Sequence, residues 1–454
     1  MDMKKTIIIL AAAALCSCGI YKPYTRPEVK TDSLCGEGVG TEGAVTIASL
    51  SWSEMFTDPQ LQALIRQGLE NNTDMLTAHQ RVAEAEAALK SARLAYIPSF
   101  NFTPQGTLSS FDFSPVGKTY NIPLTASWQL DIFGGITNAK RRARAAYAQT
   151  VEYRQAVQAQ LVSGIANVYY TLLMLDAQLE VSTQTAAKWQ QSTQMMRDMK
   201  EAGMANEAAV AQYEGNTYAI VASLEDLRYQ IRQVENSLCT MLGDIPHTVA
   251  RGRLADQTLP ANTSVGVALE VLSNRPDVRA SEYALMQAYY ATAEARSALY
   301  PSITLSGTGG WTNSAGSAIV NPGKFLWSVV GQLVQPIFNA GAGRARVKIM
   351  KAQQEEARLA FQQTLLNAGA EVNNALAQTQ SAQAKAELRR NQIAAMERAV
   401  ESTELLMRYS PTTYLEVLTA QQSLLSAQLS QIADRFDELQ GTVNLYRSLG
   451  GGNE

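Results

Sequence analysis

The sequence predicts an α+β membrane protein built by internal duplication, and three observations carry that prediction. A block that closes a helical stretch, Ala92-Arg93-Leu94-Ala95-Tyr96-Ile97-Pro98-Ser99, returns in the second half as Ala295-Arg296-Ser297-Ala298-Leu299-Tyr300-Pro301-Ser302. After each copy the hydropathy pattern changes from a helical period to alternation with period two. After each alternating region comes a proline-free helical stretch, 137–202 and 342–409. Asp74 and Asp277 pair in the same way, as do Ile132-Phe133 and Ile337-Phe338. One copy per half marks a duplicated domain, whereas a period of roughly 20 to 50 residues would mark a solenoid.

Composition excludes several classes. The 454 residues are 17% charged with a net charge of -3, which leaves no basic field for nucleic acid. The two histidines, His79 and His247, stand in no metal or triad spacing, and no phosphate loop or dinucleotide fingerprint occurs. No catalytic residue and no metal site are therefore expected, and no cofactor beyond a covalent lipid.

That lipid comes from the amino terminus. Lys4 and Lys5 precede an apolar run from Ile7 to Leu15, too short to span a bilayer and shaped like a signal peptide over 1–17. Leu15-Cys16-Ser17-Cys18 resembles a lipobox, with Cys18 favoured for acylation because Ser17 is small and Leu15 lies three positions before it. The competing reading is an ordinary signal peptide with chance cysteines. Cys35 and Cys239 remain, and geometry decides whether they pair. Beyond residue 18 no apolar run is long enough for a transmembrane helix, so any spanning part must be a closed β-barrel.

The elements follow in order. Residues 18–51 read as an extended, lipid-anchored tether, and 52–72 as a short helix with Leu61, Leu64, Ile65 and Leu69 on one face. Thr73 is a plausible N-cap for a helix that Pro98 ends. Strands are expected at about 99–112 and 119–132; in the second, Tyr120, Ile122, Leu124, Ala126, Trp128, Leu130 and Ile132 alternate with polar residues. Pro123 within it argues for an edge or a bulge. The second half repeats the plan with strands at about 302–313 and 324–337. Each long helix turns at a short tip, 203–206 or 410–412, and a returning helix follows. The first repeat is 52–245, a linker occupies 246–265, the second repeat is 266–449, and 450–454 is a tail. At 1.5 Å per residue each long helix would run roughly 100 Å, matched by the entering and returning helices stacked end to end.

Four strands cannot close a barrel, because membrane barrels begin at about eight. Three copies supply twelve, so a homotrimer is the simplest closed solution. The expected fold is a trimeric 12-stranded outer-membrane β-barrel, four strands per chain, continued by a long periplasmic α-helical barrel around a lumen.

Five blocks carry a family resemblance: Trp52-Ser53-Glu54-Met55-Phe56-Thr57-Asp58-Pro59-Gln60-Leu61, Arg275-Pro276-Asp277-Val278-Arg279-Ala280-Ser281-Glu282, Gln335-Pro336-Ile337-Phe338-Asn339-Ala340-Gly341, Glu371-Val372-Asn373-Asn374-Ala375-Leu376 and Leu445-Tyr446-Arg447-Ser448-Leu449-Gly450-Gly451. In this order they resemble the signature blocks of the TolC-like outer-membrane factors, and the lipobox points to the NodT-type lipoprotein branch. The resemblance implies a trimeric, passive, gated duct that docks with a periplasmic adaptor protein and an inner-membrane pump of the RND class to export small molecules. A duct for protein secretion and a non-channel structural lipoprotein are the alternatives.

The resemblance also implies roles for residues. Tyr414, Leu415 and Thr419 match the block that closes the periplasmic end, with Leu415 as an apolar gate ring that narrows and dewets the lumen. Leu415 packing between helices is the competing reading. Thr419 stands where the family often has an acid, and Gln422 where an arginine is frequent. Gly203, Met204, Ser410 and Pro411 match the adaptor-docking tips. Lys140, Arg141 and Arg142, then Arg344 and Arg346, open the long helices, where cations oppose the helix dipole. Anionic lipid head groups or plain solvent are their candidate surroundings. Trp128, Trp311 and Trp327 are expected in the interfacial aromatic girdle or on the lipid face. Arg275-Pro276-Asp277 reads as a helix start.

Overall fold

The computed structural model describes residues 22–27, 47, 50–258, 275–313, 324–409 and 414–452, with no side-chain detail at 408 and 409. Cys18, Cys35, Ser410 and Pro411, with the signal segment and part of the linker, lie outside the described residues.

In chain order the helices are α1 Trp52–Met55, α2 Pro59–Asn71 and α3 Thr73–Leu94; then come strands β1 Ser99–Phe102, β2 Gln105–Ser109 and β3 Gly117–Leu130. Helices α4 Gly135–Glu201 and α5 Glu207–Met241 complete the first half. The second contains α6 Pro276–Ser297, β4 Ser302–Thr312, β5 Lys324–Val334, α7 Ala342–Tyr409 and α8 Tyr414–Ser448. The long helices are continuous over 67 and 68 residues, as the absence of proline predicts. The helix expected over 52–72 is instead split. Asp58 caps α2 by accepting from the Gln60 N–H at 2.8 Å, and Phe56 is 1% exposed beside Tyr446.

All strand pairings are antiparallel, in the order β1-β3-β4-β5, with β2 also on β3. The strand expected over 99–112 forms as two pieces, and this gap accounts for Pro123. Pro123 is in a central strand with no register shift: Phe102 faces Leu124 on one side of the gap and Gln105 faces Asn121 on the other. The missing proline N–H falls opposite the interruption, and its carbonyl accepts from the Thr103 N–H at 3.3 Å. On the other side Gly310 faces Pro123, and a Cβ there would lie 2.2 Å from the Ile122 oxygen. Only glycine allows that approach.

The chain forms two compact units, and each draws segments from both sequence halves. One comprises Met1–Val29, Gln80–Glu152 and Arg279–Gln363; the other comprises Lys30–His79, Tyr153–Val278 and Thr364–Glu454. The sequence repeats are therefore not the compact units. The first unit holds the sheet. Within it Phe133 stacks on Tyr300 at 5.1 Å, Arg142 pairs with Glu294 at 3.1 Å, and the Thr292 hydroxyl donates to the Met350 carbonyl at 3.0 Å. The helices of this unit are thereby layered in the order α4, α6, α7, with Tyr96, just beyond α3, hydrogen-bonded to Thr137 of α4 at 2.9 Å.

The second unit buries an apolar core of Ile165, Tyr169, Leu172 and Leu173 from α4, Leu439, Val443 and Tyr446 from α8, and Leu61 and Ile65 from α2. Each such side chain contributes about 1.5–3 kcal/mol on burial. Part of the segment read as a linker packs into this unit: Val249 and Leu254 are buried, and Arg251 bridges Asp176 and Glu235, the latter at 2.6 Å.

Candidate functional site

Three places carry the sequence-expected residues: the sheet faces, the starts of the long helices and the helical tip. On the sheet the registers put most apolar positions on one side, the exceptions being Leu326, Val330 and Val334 of β5. Ile122 faces Trp311, which faces Phe325; Leu124, Gly309 and Trp327 form the next row, and Trp128, Leu305 and Gly331 another. Phe100, Phe102 and Leu108 extend the same face. The opposite face carries Thr119, Asn121, Thr125, Ser127, Thr304, Ser306, Thr308 and Ser328, with Leu326, Val330 and Val334 of β5 interspersed. Phe102, Phe325, Trp327, Val329 and Leu333 are 57–71% exposed and contiguous, the kind of apolar surface that marks a lipid or partner contact. β4 and β5 each have 11 residues, close to the 9–11 that cross a hydrocarbon core.

All three tryptophans lie on this apolar face. Trp128 donates its Nε1–H to the Tyr96 carbonyl at 2.9 Å, Trp311 packs edge-on against Phe325 at 5.3 Å, and Trp327 is the most exposed of the three.

The two basic clusters differ. Lys140 lies 4.8 Å from the Tyr96 ring centre, Arg141 stands 5.8 Å over Tyr290, and Arg142 pairs with Glu294. These cations have partners within the chain, which offset their position at a helix N-terminus. Asp131 offsets it further by accepting from the Ile136 and Thr137 N–H groups at 2.8 and 2.7 Å. Arg344 and Arg346 are exposed.

At the first tip the chain turns in a Schellman motif. The Met204 N–H donates to the Met199 carbonyl at 2.8 Å and the Gly203 N–H to Lys200 at 3.0 Å, with Gly203 at φ +71°. Met204 is 55% exposed. Asn206 then caps α5 by accepting from the Ala209 N–H at 2.8 Å. Beside this turn Met196, Ala209, Val210, Tyr213, Met407, Val417 and Leu418 form a buried cluster, with Tyr414 packed against it. The Tyr213 hydroxyl donates to the Tyr414 carbonyl at 3.3 Å, and burial pushes its pKa up to about 12, the Glu404 charge adding to the shift. Leu415 stays outside the cluster at 51% exposure, while Thr419 donates back to the Leu415 carbonyl at 2.8 Å. Gln422 donates to Asn216 at 2.7 Å, linking α8 to α5.

Sequence reasoning missed a network in the second unit. Arg275, read only as preceding a helix, is buried; it donates to the Ser448 carbonyl at 2.8 Å, to Asp277 at 2.8 Å and to Glu371 at 2.7 Å. Burial raises the Asp277 pKa, but the paired bonds from Arg275 hold the carboxyl below its usual range. Tyr169 donates to Asp58 at 2.6 Å, Gln257 donates to Asp58 at 2.8 Å, and Tyr446 donates to the Leu50 carbonyl at 2.8 Å. Four of the five signature blocks thus meet through hydrogen bonds or core packing, and what they share is scaffold. Cys239 is fully buried with its sulfur 3.6 Å from His247 Nδ1. No group of three or more potential metal ligands occurs among the described residues.

A sheet with one continuous apolar face, whose longer strands suffice to cross a bilayer, in a chain that is otherwise helical, defines a β-spanning membrane protein with a large helical part. The family model described as outer membrane efflux protein matches residues 64–244 and 267–451, and the chain belongs to that family. It is 29% identical to the cation efflux system protein CusC of Escherichia coli (strain K12) over 462 residues, with 100% of both chains covered. It is also 29% identical to the probable efflux pump outer membrane protein TtgC of Pseudomonas putida, with 99% of this chain and 96% of that one covered. The open-state structure of the Neisseria gonorrhoeae MtrE outer membrane channel superposes with a TM-score of 0.84 at 25% identity, covering 96% of this chain and 99% of that one.

Proposed function

We propose that three copies of this chain form a gated duct through the outer membrane of a Gram-negative bacterium, serving a tripartite efflux system. The observation that carries this reading is the sheet. Its exposed apolar face suits lipid, its mostly polar face suits a water-filled lumen, and its two outer edges leave backbone groups that a bilayer cannot satisfy until the ring closes. Three copies bring the strand count to that of a closed barrel.

The duct is passive. A periplasmic adaptor docks at the tips around Gly203, Met204, Ser410 and Pro411, and an inner-membrane RND-type pump supplies the energy. Leu415, with Tyr414 and Thr419, narrows the periplasmic entrance. Cys18 carries the lipid. Residues 22–27 support that anchor, because they lie along α6 with the Tyr289 hydroxyl donating to the Lys22 carbonyl at 3.2 Å and Arg26 beside Glu282. Since α6 runs toward β4, Lys22 is the end of this segment nearer the sheet. Arg344 and Arg346 meet anionic head groups. The cargo is whatever small molecule the pump delivers, cations and organic compounds included.

Reconstitution in a planar bilayer tests the reading. Discrete conductance from a species with the mass of three chains is expected; a chain that binds vesicles without conducting would favour a structural lipoprotein instead.

A further inference from the structure

Between α4 and α6 lies a cavity of about 650 Å³, a size that takes a small organic molecule. Its walls are aromatic and apolar, with Tyr147 and Val151 from α4 and Tyr283, Met286 and Tyr290 from α6. Two charged side chains of α4 stand at different heights along it, Arg144 nearer the sheet and Glu152 farther from it. Arg144 is exposed, and no carboxylate pairs with it among the described residues.

Glu152 is only 5% exposed, and one of its two carboxylate oxygens is unused. Oε1 pairs with Arg279 at 2.9 Å, whereas Oε2 is buried with no hydrogen-bond partner. Gln149, one turn earlier on α4, is already engaged by Gln287 at 2.5 Å. A buried carboxylate oxygen left unmet is costly, and in a native structure it calls for a donor. Burial pushes the Glu152 carboxyl above its usual range, with Arg279 opposing, as expected of a buried charge short of donors.

We infer that this cavity binds a small zwitterion lying along α4, its anionic group on the Arg144 guanidinium, its ammonium on the free Glu152 oxygen and its apolar body between the tyrosine rings. An anion alone would leave the Glu152 oxygen unmet. A cation alone would enter beside Arg141 and Arg144 with the Glu152 charge already matched by Arg279. A molecule carrying both charges answers both ends, and the tyrosine faces add cation–π attraction for its ammonium. From residue 144 to 152 α4 rises roughly 12 Å, which sets the length of the ligand. The site lies within one chain, so it does not depend on the trimer.

Isothermal titration of the full chain in lipid nanodiscs tests it with 8-aminooctanoate, whose charges span most of that length, against octanoate, octylammonium and the shorter 4-aminobutanoate. The 8-aminooctanoate is expected to bind, and each of the other three to bind roughly tenfold or more weakly, since each forgoes a charge-assisted hydrogen bond at one end. Arg144→Gln and Glu152→Gln should each weaken 8-aminooctanoate by roughly the same factor. Arg144 is exposed, so Arg144→Gln keeps the fold by circular dichroism and, with the ligand series, decides the matter should Glu152→Gln fail to fold. No binding of 8-aminooctanoate, or an affinity that neither variant changes, overturns the site. Octanoate bound as tightly as 8-aminooctanoate and lost with Arg144→Gln would make this an anion site and overturn the zwitterion.

Discussion

Replacing Val329 with arginine separates a lipid-facing sheet from one that merely meets water. Val329 lies at the middle of the 11-residue β5, opposite Gly307, and is 71% exposed in the single chain. On a water-exposed surface such a substitution changes stability by no more than about 0.5 kcal/mol. At the midplane of a bilayer an arginine on the lipid face costs about 2–4 kcal/mol. That is a shift of roughly 30-fold to several-hundred-fold in the folding equilibrium, since about 1.4 kcal/mol is tenfold. The neighbouring Ser328 points to the polar face, so Ser328→Arg should be near neutral. Phe325→Arg, near the strand end, should cost about 0–1 kcal/mol. Urea titration of the chain folded into phospholipid vesicles, followed by tryptophan fluorescence and gel mobility, measures all three. Equal midpoints for Val329→Arg and Ser328→Arg would refute the assignment of the faces.

Arg275→Ala leaves the buried Ser448 carbonyl without this donor and two half-exposed carboxylates without their cation, and should cost about 1–3 kcal/mol in thermal or urea unfolding, whereas Arg275→Lys, which keeps charge but not the fork, should cost less. Tyr213 has its folded-state pKa raised from 10 to about 12, so its contribution is fully present below pH 10 and is lost as pH rises through about 12. Between those limits the loss is about 3 kcal/mol, and Tyr213→Phe should flatten the alkaline limb of stability against pH measured by circular dichroism. Leu415→Ser should raise single-channel conductance or admit large antibiotics; unchanged conductance would remove Leu415 from the gate.

Much of the fold is legible because period carries it. The alternation from Tyr120 to Leu130 and the proline-free runs leave one regular conformation each, and both form over nearly the expected residues. The candidate surfaces were less legible. Lys140, Arg141 and Arg142 read as free cations until Tyr96, Tyr290 and Glu294 are brought beside them. Pro123 signalled a disturbed ladder, but the sequence did not show that the gap would open in the partner strand, between Phe102 and Gln105. Arg275 gave no signal of burial, since its partners Glu371 and Ser448 lie far along the chain.

The sequence by itself determined the duplication, the alternation of strands and helices, and the position of the Gly203 turn, because each depends on residues within a few positions of one another or on a direct repeat. Only the tertiary structure decided which half supplies which neighbour. Phe133 is covered and Phe338 bare although their local sequences match, because β3 finds its partner β4 inside the chain while the outer edge of β5 does not. Local rules act alike on both copies; the difference comes from long-range pairing, which a single chain completes once and leaves open at its ends.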